Sequence, residues 1–311
     1  MPEPHPFRFG VQLSRSESGA AWRSLVRKIE DLGYSSVLLP DHFGDQFAPM
    51  VALAAAAEAT STLRVGTLVL GNDYRHPLLV AKEAATLDLL SEGRLELGIG
   101  AGWMTTDYEE SGMVLDAPGV RVERLAEAIG VMKTLWAGGG DFHGAHYQLK
   151  GAHGGPAPWR RPHPLLVVGG GSRKVLTVAG READIVGLNP RLTEGHVGPQ
   201  SIASLAPDLY DERLGWVREG AGERFDAIEI QSLTFLVRVV ADSGRVLEET
   251  AQMFGMAPEV AADVPIALIG SVDQIAESLE SRRRRWGMNY WVVHDNDVDD
   301  FAPVVARLSG A

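Results

Sequence analysis

A histidine and an aspartate stand side by side after a short apolar run, where side chains can reach a bound molecule. The run Val37–Leu39, followed by Pro40, has the composition of a buried strand, and Asp41 and His42 come next. Histidine titrates near neutral pH, so His42 is suited to moving a proton or to hydrogen-bonding a reacting group. A plainer interpretation is a surface-loop histidine with Asp41 capping a helix. The spacing alone favours neither.

Three consecutive glycines and a serine give the strongest signal for an anion site. They follow an apolar, strand-like run and precede the helical pattern Arg173–Ala179. Such a turn points backbone N–H groups at an anion, and the dipole of the following helix adds to the attraction. The pattern predicts a cofactor phosphate, with an ordinary loop as the alternative. The residues concerned are Gly169, Gly170, Gly171 and Ser172.

A second glycine-rich segment, 98–103, ends in a tryptophan. Its sequence, GIGAGW, lacks the G-x-G-x-x-G spacing of a dinucleotide fingerprint and the helix that such a fingerprint opens. Because glycine has no Cβ, a planar ring or another stretch of backbone can come close here. A tight turn leaving a strand is the alternative. The candidate ring contacts are Ala101, Gly102 and Trp103, with Trp103 either stacking on an aromatic ligand or closing the end of the fold.

The remaining clusters do not indicate metal or nucleophile chemistry. The chain has no cysteine, which excludes disulfides, thiolate metal sites and a cysteine nucleophile. His143, His146 and His153 lie in a glycine-rich stretch without the helical spacing of a zinc site, so no metal is expected. The basic run Arg282–Arg285 falls inside a predicted helix and fits a solvated helix face better than a phosphate site.

Composition narrows the class of protein further. The 311 residues include 29 Lys and Arg against 41 Asp and Glu, a net charge of −12, and 45% are hydrophobic. The negative charge opposes binding to nucleic acid or to an anionic membrane, while the apolar fraction is ample for a globular core. No stretch has the length of a membrane span, and the first residues lack the apolar part of a signal peptide. The sequence therefore predicts a cytoplasmic protein that acts on a small molecule.

Strand-like runs alternate with helical patterns, which is typical of parallel β/α units. Eight strands are predicted, each followed by helix-forming sequence. The pattern favours one (β/α)₈ TIM barrel over residues 1–311, with an insertion at about 189–225, rather than an open doubly wound sheet. The predicted strands are Phe7–Leu13, Ser36–Leu39, Leu63–Leu70, Leu95–Ile99, Leu165–Val168, Asp184–Leu188, Ile228–Val240 and Tyr290–His294.

The helices between these strands are less evenly spaced. The segment from Gly138 to Pro164 is interpreted as an irregular excursion. In such barrels the active site lies at the carboxyl ends of the strands. The polar residues at three of those ends, Gln12, Asn189 and His294, are therefore candidate substrate contacts. The predicted helices are Ala20–Leu32, Ala48–Ser61, Pro77–Leu90, Gly119–Trp136, Val272–Trp286 and Asp297–Leu308.

Taken together, these segments resemble the luciferase-like flavin and deazaflavin oxidoreductases. The stretch from Arg64 to Trp103, RVGTLVLGNDYRHPLLVAKEAATLDLLSEGRLELGIGAGW, is similar to the core signature of that family. Leu38–Phe43 resembles its Asp-His pair after the second strand, and Leu166–Gly187 its phosphate-binding half. Pro265–Leu279 looks like the usual entry to the last helix and strand. The similarity covers most of the chain and is weakest over Asn189–Phe225.

The resemblance implies a barrel that commonly packs as a homodimer, with the cofactor ring lying across the strand ends. By position, His42 would be the catalytic histidine near the reactive face of the ring, and Asp41 its neighbour in the pocket. Leu68 and Val69 stand where relatives carry a bulge with a non-proline cis peptide that backs the ring. The turn 169–172 would hold the phosphate.

The same resemblance bears on the cofactor. The Asp-His pair and the third strand, with its GTxV pattern, are more similar to the branch that uses the deazaflavin coenzyme F420 than to the FMN monooxygenases. A deazaflavin exchanges hydride but reacts poorly with oxygen, which implies dehydrogenation or reduction. The alternatives are an FMN-dependent monooxygenase served by a partner reductase, and a non-catalytic barrel that binds a flavin or deazaflavin. Trp103 stands where sugar-phosphate-oxidising relatives carry an acid, which favours a more apolar or aromatic substrate.

Overall fold

Eight parallel strands close into a barrel in the computed structural model, which describes residues 5–192, 195–196 and 199–311. The third barrel strand is split into two short segments, β3 and β4. Four further strands form two small sheets outside the barrel. In chain order the strands are β1 Arg8–Gln12, β2 Ser36–Leu39, β3 Arg64–Thr67, β4 Leu70–Gly71, β5 Leu95–Gly100, β6 Gly139–His143, β7 Gln148–His153, β8 Leu165–Gly170, β9 Ile185–Leu188, β10 Glu229–Leu233, β11 Leu236–Val239, β12 Ala267–Gly270 and β13 Met288–His294.

The strands pair in the order β3, β2, β1, β13, β10, β9, β8, β5, and the pairing of β5 with β3 closes the ring. Their alternate residues face two different cores, because successive side chains of a strand point to opposite sides. One set packs outward against the helices. The other fills the barrel interior, which explains why these strands are almost uniformly apolar. The buried interior residues are Leu38, Val167, Ile185, Tyr290 and Val292.

Helices follow the barrel strands and cover the outside of the barrel. Several begin with the signals seen in the sequence: Pro77 opens the third helix, and Ser18 caps the first through a hydrogen bond from the Ala21 N–H, 3.1 Å long. No helix in the described ranges has the length and apolarity needed to cross a membrane. The helices are α1 Gly19–Asp31, α2 Pro49–Ala59, α3 Pro77–Leu90, α4 Thr105–Ser111, α5 Pro118–Trp136, α6 Arg173–Glu182, α7 Pro199–Ala203, α8 Asp208–Ala221, α9 Gly244–Phe254, α10 Pro258–Asp263, α11 Val272–Trp286 and α12 Val298–Leu308.

The predicted long strand Ile228–Val240 is wrong. It is two strands, because β10 belongs to the barrel whereas β11 leaves it and pairs with β12. The chain turns between them at Thr234, whose side-chain hydroxyl donates to the carbonyl of Val292, 2.8 Å away. The continuous apolar pattern does not reveal this turn, since both strands are partly buried in their own sheets.

The segment predicted as irregular contains a regular hairpin, and the predicted insertion, expected to be partly helical, contains a packed helix. The excursion from 138 to 164 includes an antiparallel hairpin of β6 and β7, tied to α5 by Glu127, which accepts backbone N–H groups of the hairpin turn. The predicted insertion at about 189–225 includes α8, which packs closely along α6 in the position of a barrel helix. A side chain at Gly180 would collide with the Val217 carbonyl across that contact. The sequence DLYDERLGWVREGA is too charged to make α8 stand out as a core element.

A buried ion cluster closes the amino-terminal end of the barrel. Glu96 is fully buried and accepts from Arg8, from Arg64 Nε at 2.6 Å and from the Tyr290 hydroxyl at 2.8 Å. Arg8 also donates to Glu229 at 2.7 Å. Burial alone would raise the pKa of Glu96, but the two guanidinium groups outweigh it and hold the pKa below the usual value. The carboxylate is therefore ionised in the folded protein.

We expect Glu96→Gln to lower the free energy of unfolding at pH 7 by about 3 kcal/mol, because the guanidinium groups of Arg8 and Arg64 lose a fully buried partner charge, while Arg8 keeps its ion pair with Glu229. The folded pKa lies below that of the unfolded chain. The contribution is thus complete above the ordinary glutamate pKa, about 4.3, and is lost as the pH falls through the folded value. Urea denaturation across pH would measure it, with the exposed Glu248→Gln as the matched control. Equal stability of both variants at pH 7 would contradict this role.

Candidate active site

His42 is held by an aspartate from a different barrel unit. Nδ1 of His42, at the end of β2, lies 2.7 Å from Oδ2 of Asp107, which α4 supplies just beyond β5. The Asp107 side chain is 4% exposed and that of His42 is 24% exposed. The aspartate is thus enclosed while the imidazole reaches the open carboxyl-terminal end of the barrel.

A tyrosine fixes the same aspartate from the other side. The Tyr74 hydroxyl donates to Oδ2 of Asp107 at 3.0 Å, and the backbone N–H of Phe43 donates to Oδ1 at 3.4 Å. Burial, and then the charge of Asp107, raise the pKa of Tyr74 well above its usual value, so the hydroxyl stays protonated as a donor. A carboxylate only accepts, so a proton on Nδ1 of His42 points to Asp107, and in that tautomer Nε2 keeps its lone pair.

Asp41 has protein partners for both carboxylate oxygens. Oδ1 accepts from the Arg75 guanidinium at 2.8 Å, Oδ2 accepts from the same group, and the Gly71 N–H donates to Oδ2 at 2.9 Å. Burial alone would lower the pKa of Arg75, but Asp41 more than offsets this and raises it. Asp41 therefore fixes the loop after β4 beside His42. Its predicted contact with the cofactor stays a prediction.

The break between β3 and β4 lies at the barrel mouth. The peptide bond between Leu68 and Val69 is cis, as the family resemblance implies. The Leu68 carbonyl accepts a hydrogen bond from Nε2 of Gln12, 3.2 Å away, so this predicted substrate contact also anchors the bulge. On the neighbouring strand, a Cβ at Gly98 would overlap the Thr67 carbonyl. The glycine-rich segment is expected to allow close approach of a planar ring or of another stretch of backbone. At Gly98 it is backbone, the carbonyl of Thr67, that makes this approach.

The end of β5 brings an aromatic ring to His42. Trp103 and His42 lie with ring centroids 6.0 Å apart and planes at 87°. Gly102 has a φ of +73°, and its carbonyl accepts from Arg121 at 2.8 Å. Ala101 is partly buried against the main core. Of the three predicted ring contacts in this segment, Trp103 is therefore the one placed beside the histidine.

The glycine-rich turn joins β8 to α6 as predicted. Ser172 is the N-cap residue of the ten-residue α6, yet its hydroxyl makes no capping hydrogen bond. Side chains are excluded at two of the glycines by the fold itself, because a Cβ at Gly170 would collide with Val175 and one at Gly171 would lie 2.5 Å from the Pro190 carbonyl. Replacing these glycines would therefore disturb packing as well as any phosphate.

Two other predicted substrate contacts lie at neighbouring points of the mouth. The Asn189 side chain lies over Gly169, with Nδ2 3.0 Å from the place a Cβ would occupy there. His294 ends β13, pairs in register with Gln12 and has its ring 5.8 Å from that of Phe235. The barrel therefore brings strand-end residues from β1, β9 and β13 to the same opening as His42.

Sequence reasoning missed the residues that orient His42. These residues are Asp107 and Tyr74. The ring of Tyr74 lies next to that of Tyr108, whose hydroxyl donates to Oδ2 of Asp73 at 2.9 Å. Burial, followed by the charge of Asp73, raises the pKa of Tyr108 to about 12. Only its position in the sequence could have marked Asp107 as a candidate site residue, since it lies four residues beyond Trp103 in the segment after a predicted strand. Its side chain is identified as a histidine partner only when β2 and β5 are brought together.

The histidines considered as metal ligands lie on the β6–β7 hairpin. His143 and His153 belong to its two strands, and Nδ1 of His143 lies 3.2 Å from Oε1 of Gln148. Across the described residues, no group of three or more His, Asp or Glu side chains is placed to hold a metal ion.

Comparison with known proteins gives matches over most of the chain. A family model for luciferase-like monooxygenases matches residues 5–209. The oxygenase component of the flavin-dependent trigonelline monooxygenase from Acinetobacter baylyi is 30% identical over 206 residues, which cover 66% of this chain and 52% of that protein. The F420-dependent glucose-6-phosphate dehydrogenase from Amycolatopsis mediterranei is 32% identical over 248 residues, covering 76% of this chain and 69% of that enzyme.

Solved structures share the whole architecture. The F420-dependent tetrahydromethanopterin reductase from Methanopyrus kandleri superposes with a TM-score of 0.77 at 18% identity, over 98% of this chain and 100% of the reductase. At that identity the likeness shows the fold alone. The chain also spans only about half the length of the trigonelline monooxygenase that it matches, 52%. The (β/α)₈ luciferase-like barrel predicted from the sequence is thus confirmed.

Proposed function

The chain belongs to the luciferase-like monooxygenase family, and from that premise we propose that it is an F420-dependent oxidoreductase. It transfers a hydride between the deazaflavin coenzyme and a small organic substrate. Its named relatives are oxidoreductases or monooxygenases that depend on F420 or on a flavin, which supports an enzyme with a cofactor of that class. The observation that carries the proposal is the His42–Asp107 pair at the carboxyl-terminal mouth of the barrel.

The mouth fits a planar cofactor with a phosphate tail. Glycines face the barrel interior on three adjacent strands, at Gly100, Gly169 and Gly187, so no Cβ projects from the backbone at these points. Beyond the end of β8, Ser172 opens α6 with its hydroxyl unused by the cap. Helix N-termini attract phosphate, so Ser172 and the N–H groups of 169–171 would hold the tail, while Leu68, Val69, Gly102 and Trp103 would border the ring.

The bound coenzyme supplies hydride chemistry, and the chain supplies the proton at the substrate oxygen. In the described part of the chain, Nε2 of His42 has no hydrogen-bond partner, so it is free to accept a proton from an alcohol or to return one to a carbonyl. Asp107 stabilises the imidazolium that forms when Nε2 accepts that proton. Trp103 lies edge to face with the imidazole and borders it on one side.

The choice of F420 over FMN rests on two observations. The adjacent residues Asp41 and His42 resemble the F420-dependent branch of the family. The F420-dependent dehydrogenase relative also aligns over more of this chain than the trigonelline monooxygenase does. The second candidate is an FMN-dependent monooxygenase supplied by a partner reductase, and the flavin-dependent relative supports it. Trp103 favours an apolar or aromatic substrate in either case. A cytoplasmic setting, expected from the cysteine-free sequence, stays a prediction.

We expect the purified protein to bind F420 more tightly than FMN in parallel fluorescence titrations, with at least a tenfold difference in Kd. The reaction should then run without oxygen, because a deazaflavin needs none. Tighter binding of FMN together with oxygen-dependent turnover would replace the first candidate by the monooxygenase. Binding of neither cofactor would overturn both.

We expect His42→Ala to lower turnover by about 10²–10⁴-fold, the usual contribution of a positioned acid or base, while the Kd for the cofactor changes little. Asp107→Asn should give a smaller loss of kcat, because the imidazole remains but its tautomer and charge are no longer supported. Stopped-flow and steady-state assays on the substrate found by screening would measure both. His143→Ala, on the exposed hairpin, is the matched control.

Wild-type turnover in His42→Ala would refute the role of the histidine. An Asp107→Asn variant that behaves like wild type would limit the proposal to His42 alone. Loss of cofactor binding in either variant would instead assign the pair to the binding site rather than to proton transfer.

The chain also carries a surface suited to a second copy of itself. α2 and α3 lie side by side and expose mainly apolar residues, whereas outer faces of barrel helices are normally polar. Val51 is 74% exposed, Leu90 is 71% exposed and Leu79 is 47% exposed. The homodimer implied by the family resemblance is therefore placed, in this proposal, on α2 and α3.

We expect wild-type protein to sediment as a dimer and the double variant Val51→Lys with Leu79→Lys to sediment as a monomer, because like charges would be buried against each other. Val114→Lys, at an equally exposed valine outside both helices, is the matched control. A double variant that remains dimeric would exclude this face as the interface.

A further inference from the structure

Gln231 is a buried polar side chain inside the barrel that the proposed reaction does not use. It lies in β10, is 1% exposed and faces inward, as Leu233 does two residues later. In register it stands beside Gly187 of β9, which stands beside Gly169 of β8. On its other side Gln231 stands beside Tyr290 of β13, so the side chain lies midway along the barrel, between the glycine-rich strand ends and the buried ion cluster.

The neighbouring strands present bare backbone beside this amide. A Cβ at Gly187 would lie 3.5 Å from Oε1 of Gln231, 3.9 Å from Nδ2 of Asn189 and 3.3 Å from the Gly169 Cα. Two side-chain amides thus border a strip of bare backbone formed by Gly169 and Gly187. A flat group can lie against such a strip, since no Cβ projects from it.

The Gln231 amide lacks a hydrogen bond that buried amides normally make. Nε2 is buried, and no partner for it exists among the described residues. More than nine in ten buried polar groups are paired, and an unpaired donor lowers stability. Such a group indicates a ligand or an ordered water that completes it. Asn189, the residue that follows β9, borders the strip on the side of the mouth.

We propose that Gln231 positions the cofactor ring, by donating from Nε2 to a carbonyl oxygen on the imide edge of the ring. This inference rests on the proposed function. An imide edge offers C=O and N–H side by side, which complements the C=O and NH₂ of one carboxamide. A phosphate is a poorer match, because Gln231 is neutral and the helix N-terminus at Ser172 already provides an anion site. Both F420 and FMN contain this imide, so the contact serves either cofactor.

Gln231→Met tests the contact, because methionine keeps the unbranched shape and removes the amide. The Kd for the cofactor should rise about tenfold, the effect of one lost buried hydrogen bond. The thermal midpoint of the cofactor-free variant should be unchanged or higher, since an unpaired buried donor is removed. A merely structural glutamine would instead lower the midpoint. Ser232→Ala is the matched control, because its hydroxyl is equally buried and unpaired but points to the other side of β10.

Comparing ligands with and without a phosphate shows whether Gln231 contacts the ring or the tail of the cofactor. FMN is compared with riboflavin, and F420 with its deazariboflavin chromophore, which lacks the phosphate-bearing tail. Gln231→Met should weaken both members of each pair by the same factor. Ser172→Glu, which places a negative charge at the anion site, should weaken only the phosphate-bearing member. The reduction potential of the bound ring should also become more negative in Gln231→Met, because the donor favours the electron-rich reduced form.

Wild-type affinity of Gln231→Met for every ligand would overturn the inference while leaving the proposed function standing. A loss seen only with the phosphate-bearing ligands would also overturn it, by assigning the amide to the tail. Failure of the wild-type protein to bind any of the four ligands would overturn the proposed function and this inference together.

Discussion

The close approach of the third barrel strand to β5 is the constraint on which the mouth depends. Gly98 has no side chain, so the Thr67 carbonyl occupies the space where a Cβ would stand. The Thr67 hydroxyl then donates to the Gly98 carbonyl at 2.7 Å and accepts from its N–H at 2.9 Å. With the strands locked in this way, Leu68 and Val69 bulge inward, and the segment beyond them begins at a fixed place.

The segment after β4 holds two carboxylates in place at the carboxyl-terminal end of the barrel. The loop after β4 carries Arg75, which pairs with Asp41, and Tyr74, which donates to Asp107. Each carboxylate is thus held by a residue from the same short stretch, although one follows β2 and the other follows β5. His42 lies between them and inherits its orientation from Asp107. A displacement of the bulge would therefore reach the histidine through two separate hydrogen-bonded paths.

The two ends of the barrel solve opposite physical problems. At the amino-terminal end, Glu96 satisfies the charges of Arg8 and Arg64 in a cluster that has no opening to fill. At the carboxyl-terminal end the Ser172 hydroxyl is not used by its helix, and in the middle of β10 Nε2 of Gln231 has no partner within the described chain. Satisfied polar groups stabilise a barrel, whereas unsatisfied ones lower stability unless a ligand completes them. This asymmetry is what a ligand-binding mouth requires.

The sequence by itself determined the order of strands and helices, the barrel and the family, because alternating apolar runs and glycine-rich strand ends are local features. It also predicts His42 and the turn 169–172 as candidate site residues from their places after strands. Only the tertiary structure decided that Asp107 orients His42, that Glu96 closes the opposite end and that Gln231 faces a strip of glycines. The residues in each of these relations are at least 32 positions apart in the sequence. No local pattern encodes which strand ends become neighbours when the barrel closes.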